Sequence, residues 1–378
     1  MKEIKFNIPL HLDESDKNVK KFLNSKIPLH GPGNNILQIK KEIKIKFGFK
    51  TVHLTNSCTS ALEISALLLN LKINDEVIVP AFSFITSASS FARTGCKLRF
   101  CDIDQRNLMP NFDQIKKCVN KKTKAIVIVH YQGFSVDYLD KLQIFCKKKN
   151  IVLIEDAAQC FGSYFKKKPL GSFGDLSCFS FHETKNLHSG LGGMLVVNNK
   201  KFVNRSYLIL DKGTDRRLVQ TTKQKYYSWV ELGSSFMLSE FSASYLLPQI
   251  LYYKKNYVVR SKIYNRYLYN FNKWLNGEFF LTNIHKYKYN FHAFVILLKN
   301  NKREHFLNYL KKYKINAVIS YTPLHKSKAG KKFHVNKPRL KNSDKFISRI
   351  VRLPLHNYLK LSEVDYISNK IREYFIKY

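Results

Sequence analysis

The run Ala125-Ile126-Val127-Ile128-Val129 is apolar at every position and rich in β-branched residues. A strand with no polar face must be covered on both sides. No other stretch constrains the fold as much. Similar runs recur at Glu76 to Pro80, Leu98 to Asp104, Ile151 to Asp156, Leu176 to Phe181 and Gly193 to Val197. Helical spacing fills gaps between them, as at Phe82 to Phe91 and Asp137 to Lys149. Such alternation predicts an α/β fold, with a mostly parallel sheet flanked by helices. In such sheets the carboxyl ends of the strands share one edge, where ligands bind.

A chain of 378 residues is long enough for two domains. The expected division is an N-terminal segment and large domain over 1–250, and a small α+β domain over 251–378. A helix through Ala243, Leu246, Leu247 and Ile250 closes the first, and a long basic helix from about Leu251 to Phe271 opens the second. Phe291 to Leu298, Glu304 to Lys312, Ala317 to Tyr321 and a terminal helix from Ser362 supply the remainder of the small domain.

Three predicted strands end in reactive or small polar residues. Ile151 to Ile154 leads into Glu155-Asp156-Ala157-Ala158-Gln159. Cys178 to Phe181 leads into His182-Glu183-Thr184-Lys185-Asn186 and then Ser189-Gly190-Leu191-Gly192-Gly193. Val52 to Leu54 leads into Thr55-Asn56-Ser57-Cys58-Thr59-Ser60 and a helix. That last turn is either a Ser/Thr helix cap or a cup of N–H groups and hydroxyls for a phosphate. A lysine beyond one strand and a carboxylate beyond another suit pyridoxal phosphate chemistry. The lysine forms a Schiff base and the acid pairs with the pyridine nitrogen.

The formal charge is +38, from 65 basic and 27 acidic residues. The lysines are dispersed in short runs such as Lys147 to Lys149 and Lys166 to Lys168, the pattern of solvated faces. Nucleic acid is therefore not the expected partner, although a positive field would help attract an anionic substrate. The seven cysteines form no C-x-x-C pair and read as reduced thiols, with no metal site expected. No apolar run reaches the roughly 18 residues a membrane span needs, and Met1 to Phe6 lacks a signal-peptide core. The expectation is a cytoplasmic protein without a membrane partner.

Taken together, Asn56 to Leu62, Asp75 to Pro80, Glu155 to Gln159 and Ser180 to Lys185 resemble the DegT/DnrJ/EryC1/StrS sugar aminotransferases, in that family's order and spacing over nearly the whole chain. The resemblance implies the type I aminotransferase fold, pyridoxal 5′-phosphate as cofactor and a homodimer with active sites at its interface. Lys185 would hold the cofactor and shuttle a proton, and Asp156 would keep the pyridine nitrogen protonated. Gln159 would approach the 3-oxygen side of the ring, with Thr59, Ser60 and Ser180 on the phosphate. Phe84 falls where the family places the stacking aromatic, with Phe82 as its rival. Ser235 stands where many members carry an asparagine that reaches the partner's cofactor phosphate, and Met237 where they carry an arginine.

Ser180 to Asn186, Lys212 to Thr214, Gly233 to Ser239 and Tyr321 to His325 are most similar to one subgroup, the dTDP-4-amino-4,6-dideoxygalactose transaminases. The implied reaction moves an amino group from L-glutamate to dTDP-4-dehydro-6-deoxyglucose, for surface glycans such as enterobacterial common antigen. Arg216, Tyr321 and His325 are the candidate substrate contacts. Another keto nucleotide sugar, with a 3-keto group or a UDP or GDP carrier, is the alternative. A non-enzymatic regulator is a further one, against which Lys185 and Asp156 weigh.

Overall fold

The computed structural model describes residues 2–29, 31–222, 224–273, 279–281, 287–335 and 339–378. Its centre is a seven-stranded sheet. In chain order the strands are β1 (Thr51–Thr55), β2 (Glu76–Pro80), β3 (Lys97–Cys101), β4 (Thr123–Val129), β5 (Val152–Asp156), the short hairpin β6 (Tyr164–Phe165) and β7 (Lys168–Pro169), β8 (Leu176–Ser180) and β9 (Gly193–Val197). The hairpin lies outside the main sheet, whose order is β1-β9-β8-β5-β4-β2-β3. Strand β9 runs antiparallel to both neighbours, and the other pairings are parallel.

Both sheet faces are buried, as the apolar runs require. Along β4, Ile126 and Ile128 enter one apolar layer while Ala125, Val127 and Val129 enter the other. Burying each Ile or Val in this way contributes about 1.5–3 kcal/mol. A polar substitution at any of these positions would face core on either side.

A second, antiparallel sheet contains β10 (Phe279–Leu281), β11 (Phe294–Leu298) and β12 (Ile350–Leu353), in that order. The helices Arg303–Lys312 and Leu361–Lys377 pack in this region. Ala317 to Tyr321 joins the sheet only through a bridge between Val318 and Arg352. The two helices expected on either side of residue 250 are one continuous helix, Glu240–Asn272, with Pro248 inside it. Its Glu240 carboxylate is buried and accepts from the backbone N–H groups of Gly33, Asn35 and Ile36. It thereby caps the helix Asn34–Phe47 with a negative charge at the positive end. All seven cysteines are free. Among the described residues no helix is long and apolar enough to cross a membrane.

Candidate active site

The carboxyl ends of β1, β5 and β8 open onto a cavity of about 350 Å³. Lys185, Asp156, Gln159, Ser180, Thr59 and Phe84 all line it. Most of these side chains leave a strand within a few residues of its last ladder bond, so the sheet fixes where they start.

Asp156 is the last residue of β5 and is buried. Its Oδ2 accepts from the Ser87 hydroxyl at 2.5 Å and its Oδ1 from the Ala158 N–H at 3.2 Å. Burial pushes its carboxyl above the usual range, against the pull of those hydrogen bonds and of the Lys185 charge. Glu155, one residue earlier, points the other way, as strand geometry demands. It accepts from the backbone N–H groups of Gly171, Phe173 and Gly174 and pairs with His130 at 2.8 Å. Burial alone would raise Glu155, but His130 and those N–H groups hold it below its ordinary value.

Lys185 sits in the loop between β8 and β9. The loop is closed by Phe181 N–H to Gly192 O at 2.8 Å and Glu183 N–H to Gly190 O at 2.8 Å. Asn186 donates to Asn290 O at 2.6 Å and contacts His292 Nδ1 at 3.0 Å, pinning the loop to the chain leading into β11. Lys185 opens onto the cavity, yet the surrounding protein strips its water. This desolvation brings its ammonium down to about 8, with Cys58 and Asp156 opposing and Arg352 assisting. Such an amine is far more often neutral, hence nucleophilic, near neutral pH than a surface lysine.

The small-polar turn after β1 caps a helix and also faces the cavity. Ser57 caps the helix Cys58–Leu68, its hydroxyl accepting from the Ser60 N–H at 3.0 Å. Ser57, Cys58 and Thr59 also line the cavity at that helix's amino end. Ser60 is buried and turned inwards, with its hydroxyl bonded to Asn56 and 2.9 Å from the Ser57 hydroxyl, and is not part of the wall. Gly193 opens β9 against this turn, where a Cβ would collide with the backbone of Ser57 and Cys58.

Gln159 accepts from the Gln132 N–H at 2.7 Å and donates to the Tyr321 hydroxyl. Tyr321 lines the cavity among Phe82, Phe84 and Tyr131, with ring centroids 5.4 to 6.0 Å away. Phe82 is buried against Tyr131, whereas Phe84 is half-exposed and forms the wall.

The other three candidates lie off this wall. Arg216 donates to the Tyr227 hydroxyl at 2.9 Å and stacks on its ring. His325 pairs with Asp344 at 3.0 Å. Ser235 is exposed, and its carbonyl accepts from Asn56 at 3.1 Å. The sequence reading missed Ser87, His292 and Arg352. Only Arg352 leaves a signal, as a lone charge within the apolar run Ile350 to Leu353.

The DegT/DnrJ/EryC1/StrS aminotransferase family model matches residues 10–372. The chain belongs to that family. It is 28% identical over 371 residues to the UDP-4-amino-4,6-dideoxy-N-acetyl-beta-L-altrosamine transaminase of Campylobacter jejuni, covering 96% of this chain and 95% of the relative. It is 31% identical over 209 residues to the GDP-perosamine synthase of Vibrio cholerae, covering 54% of this chain and 57% of the relative. Among solved structures it is similar to Helicobacter pylori PseC, an aminotransferase involved in pseudaminic acid biosynthesis. There the TM-score is 0.91 at 26% identity, with 100% of each chain covered. The fold of this sugar aminotransferase is thus the type I fold.

The cofactor is pyridoxal 5′-phosphate. The residues fit it. Asp156 is a buried carboxylate already held by Ser87 and Ala158, and a protonated ring nitrogen would relieve its desolvation. Lys185 is an amine of lowered basicity on the same cavity, and Ser57, Thr59 and Ser180 offer hydroxyls beside a helix amino terminus.

Proposed function

We propose that this chain transfers an amino group from L-glutamate to the C4 keto carbon of dTDP-4-dehydro-6-deoxyglucose. The product is dTDP-4-amino-4,6-dideoxygalactose, used for surface polysaccharides such as enterobacterial common antigen. The observation that carries the aminotransferase reading is that Lys185, Asp156, Gln159 and Ser180, from the ends of the two strands β5 and β8 and the loops after them, line one cavity. The choice of sugar rests on the four subgroup stretches, Ser180 to Asn186, Lys212 to Thr214, Gly233 to Ser239 and Tyr321 to His325.

Bound in the cavity, the cofactor supplies an electron sink for the carbon that loses its proton. Lys185 holds the cofactor and then moves a proton at the reacting carbon, a task suited to an amine near 8. Asp156 would keep the ring nitrogen protonated, with Ser87 holding Asp156 in place. Thr59, Ser57 and Ser180 would hold the phosphate. Phe84 and Gln159, on the same wall, would contact the ring.

The working unit in this reading is a homodimer. Exposed apolar side chains support it: Phe84 and Leu191 on the cavity wall, and Trp229 and Leu232 in the loop before Ser235. Ser235 follows that loop and lies off its own chain's cavity, as does Arg216, which is held on Tyr227; in this reading both serve the partner's cavity.

A UDP- or GDP-linked keto sugar is the second reading, favoured by relatives named for both carriers. A panel of dTDP-, UDP- and GDP-linked 4-keto sugars with glutamate, read by product NMR, decides between them. Amination of the dTDP sugar with equatorial rather than axial nitrogen, or of only a UDP or GDP sugar, would overturn the proposed product.

A further inference from the structure

Two of the seven free cysteines lie side by side, away from the cavity. Cys101 is the last residue of β3, at one edge of the main sheet, and is buried. Cys118 is the last residue of the helix Phe112–Cys118 and is half-buried. The thiols are close enough to share a hydrogen, with Cys101 donating to Cys118.

The surrounding chain holds the pair from both sides. The Cys101 carbonyl accepts from the Ala81 N–H at 2.9 Å. Asp102, the next residue, accepts from the backbone N–H groups of Asn342 and Ser343 at 3.0 and 2.8 Å. Asn111 and Gln114 cap the helix reciprocally at 2.7 and 2.9 Å, and the Gln114 amide donates to Ile103 O at 3.2 Å. The helix that ends in Cys118 is thereby tied to the chain that leaves Cys101. Ile115, one turn before Cys118, is buried in the same apolar layer as Cys101.

The environments divide the roles. Burial pushes the thiols of Cys58, Cys96, Cys146, Cys160 and Cys178 above their ordinary value. The bond to Cys118, with burial, does the same to Cys101. Cys118 alone is held below it, by the Cys101 hydrogen bond and the Arg99 charge, against burial and Asp102. A part-exposed thiol beside a cation and a hydrogen-bond donor is the reactive kind, and a second thiol in contact can resolve its adduct.

We propose that Cys101 and Cys118 are a redox pair that closes to a disulfide when a small-molecule disulfide, such as glutathione disulfide, reaches Cys118. The Cys118 thiolate attacks one sulfur of the oxidant and expels the other, leaving a mixed disulfide. Cys101 then attacks the Cys118 sulfur and expels the second glutathione. Each departing thiolate takes up one of the two cysteine protons. Two electrons pass from the protein sulfurs to the oxidant, and two thiols are released. Excess thiol reverses both steps. The inference is independent of the sugar and of the transfer reaction.

Holoenzyme treated with glutathione disulfide, then alkylated and cut with trypsin, tests this. Cleavage after Arg106 and Lys117 leaves Phe100–Arg106 and Cys118–Lys121 as separate peptides, so only a disulfide joins them. The joined pair is expected in most chains and should disappear with dithiothreitol. The bond closes a loop over residues 102–117 and should raise the melting temperature by about 3–6 °C. Cys101→Ser should stop with glutathione held on Cys118, and Cys101→Ala repeats that result without a buried hydroxyl. Cys118→Ser should leave Cys101 unmodified, because that thiol is buried. The proposal is overturned if the unaltered chain holds glutathione on Cys118 without joining the peptides, if Cys118 stays unmodified, or if Cys101 reacts in Cys118→Ser. It is also overturned if the melting temperature falls when the bond forms, which would mean that the fold opens to make it.

Discussion

Asp156 ends a buried strand, and Gln159 and Lys185 follow one within five residues, whereas Arg216, Ser235 and His325 stand on chain that does neither. The first group meets in one cavity. Members of the second find partners away from the cavity wall: Arg216 with Tyr227, His325 with Asp344, and the Ser235 carbonyl with Asn56. The cavity floor inherits its geometry from the sheet, where ladder bonds fix both position and facing. The rim has turns and short helices such as Arg216–Thr221 and Lys328–Phe333 to set direction. A motif at a strand end therefore says where its side chain goes, and the same kind of motif in a rim loop does not.

The sharpest way to break this contrast is Lys185→Ala. Amino transfer should fall about 10⁴-fold, the upper range for losing a proton-transferring group, and borohydride should no longer fix the cofactor to the chain. Activity within tenfold of the unaltered enzyme would show that the floor is misassigned. Lys185 also predicts a pH dependence. Its pKa is depressed, so the neutral amine appears as pH rises through about 8 rather than 10.5. In cofactor-stripped protein, reductive trapping of a small aldehyde on Lys185 should be half-maximal near pH 8. A midpoint above 10 would contradict the desolvated site.

Asp156→Asn should cost about 10²–10³-fold in kcat while the cofactor remains bound, as expected for one electrostatic partner of the reacting group. Ser87→Ala removes a single hydrogen bond to that charge and should cost about tenfold. The Ser87 bond favours the ionised Asp156, so its loss moves the Asp156 titration upward. The acidic limb of the rate profile should move to higher pH; an unmoved limb would leave Ser87 with packing only.

The smallest expected effects are at the rim. His325→Ala should lower stability by about 1 kcal/mol through its lost bond to Asp344. Its effect on kcat/KM should stay below about threefold, well short of one good substrate hydrogen bond. A large loss in kcat/KM with an unchanged melting temperature would move His325 into the substrate site and erase the difference between floor and rim.

Much of the floor was legible before any coordinates. The strand runs ending in Asp156, Ser180 and Thr55 were visible as short, mainly apolar runs between polar turns, and polar residues at such ends share an edge by topology alone. The turn at Asn56 to Ser60 was visible too, but not which hydroxyls face outward. Ser60 turns in because the cap geometry of Ser57 draws its N–H and hydroxyl together. The break at residue 250 disappears into the helix Glu240–Asn272, because Pro248 and the change to basic composition do not interrupt it.

The sequence by itself determined the sheet, the family, and the lysine and aspartate at its edge, because strand periodicity and local motifs are properties of neighbouring residues. Only the tertiary structure decided that Ser87 steadies Asp156 across 69 positions. It also decided that Phe84 rather than Phe82 faces the cavity, and that Arg352 arrives there from the small sheet with no ion-paired carboxylate among the described residues. Those facts depend on which distant surfaces pack together, and no local pattern encodes that.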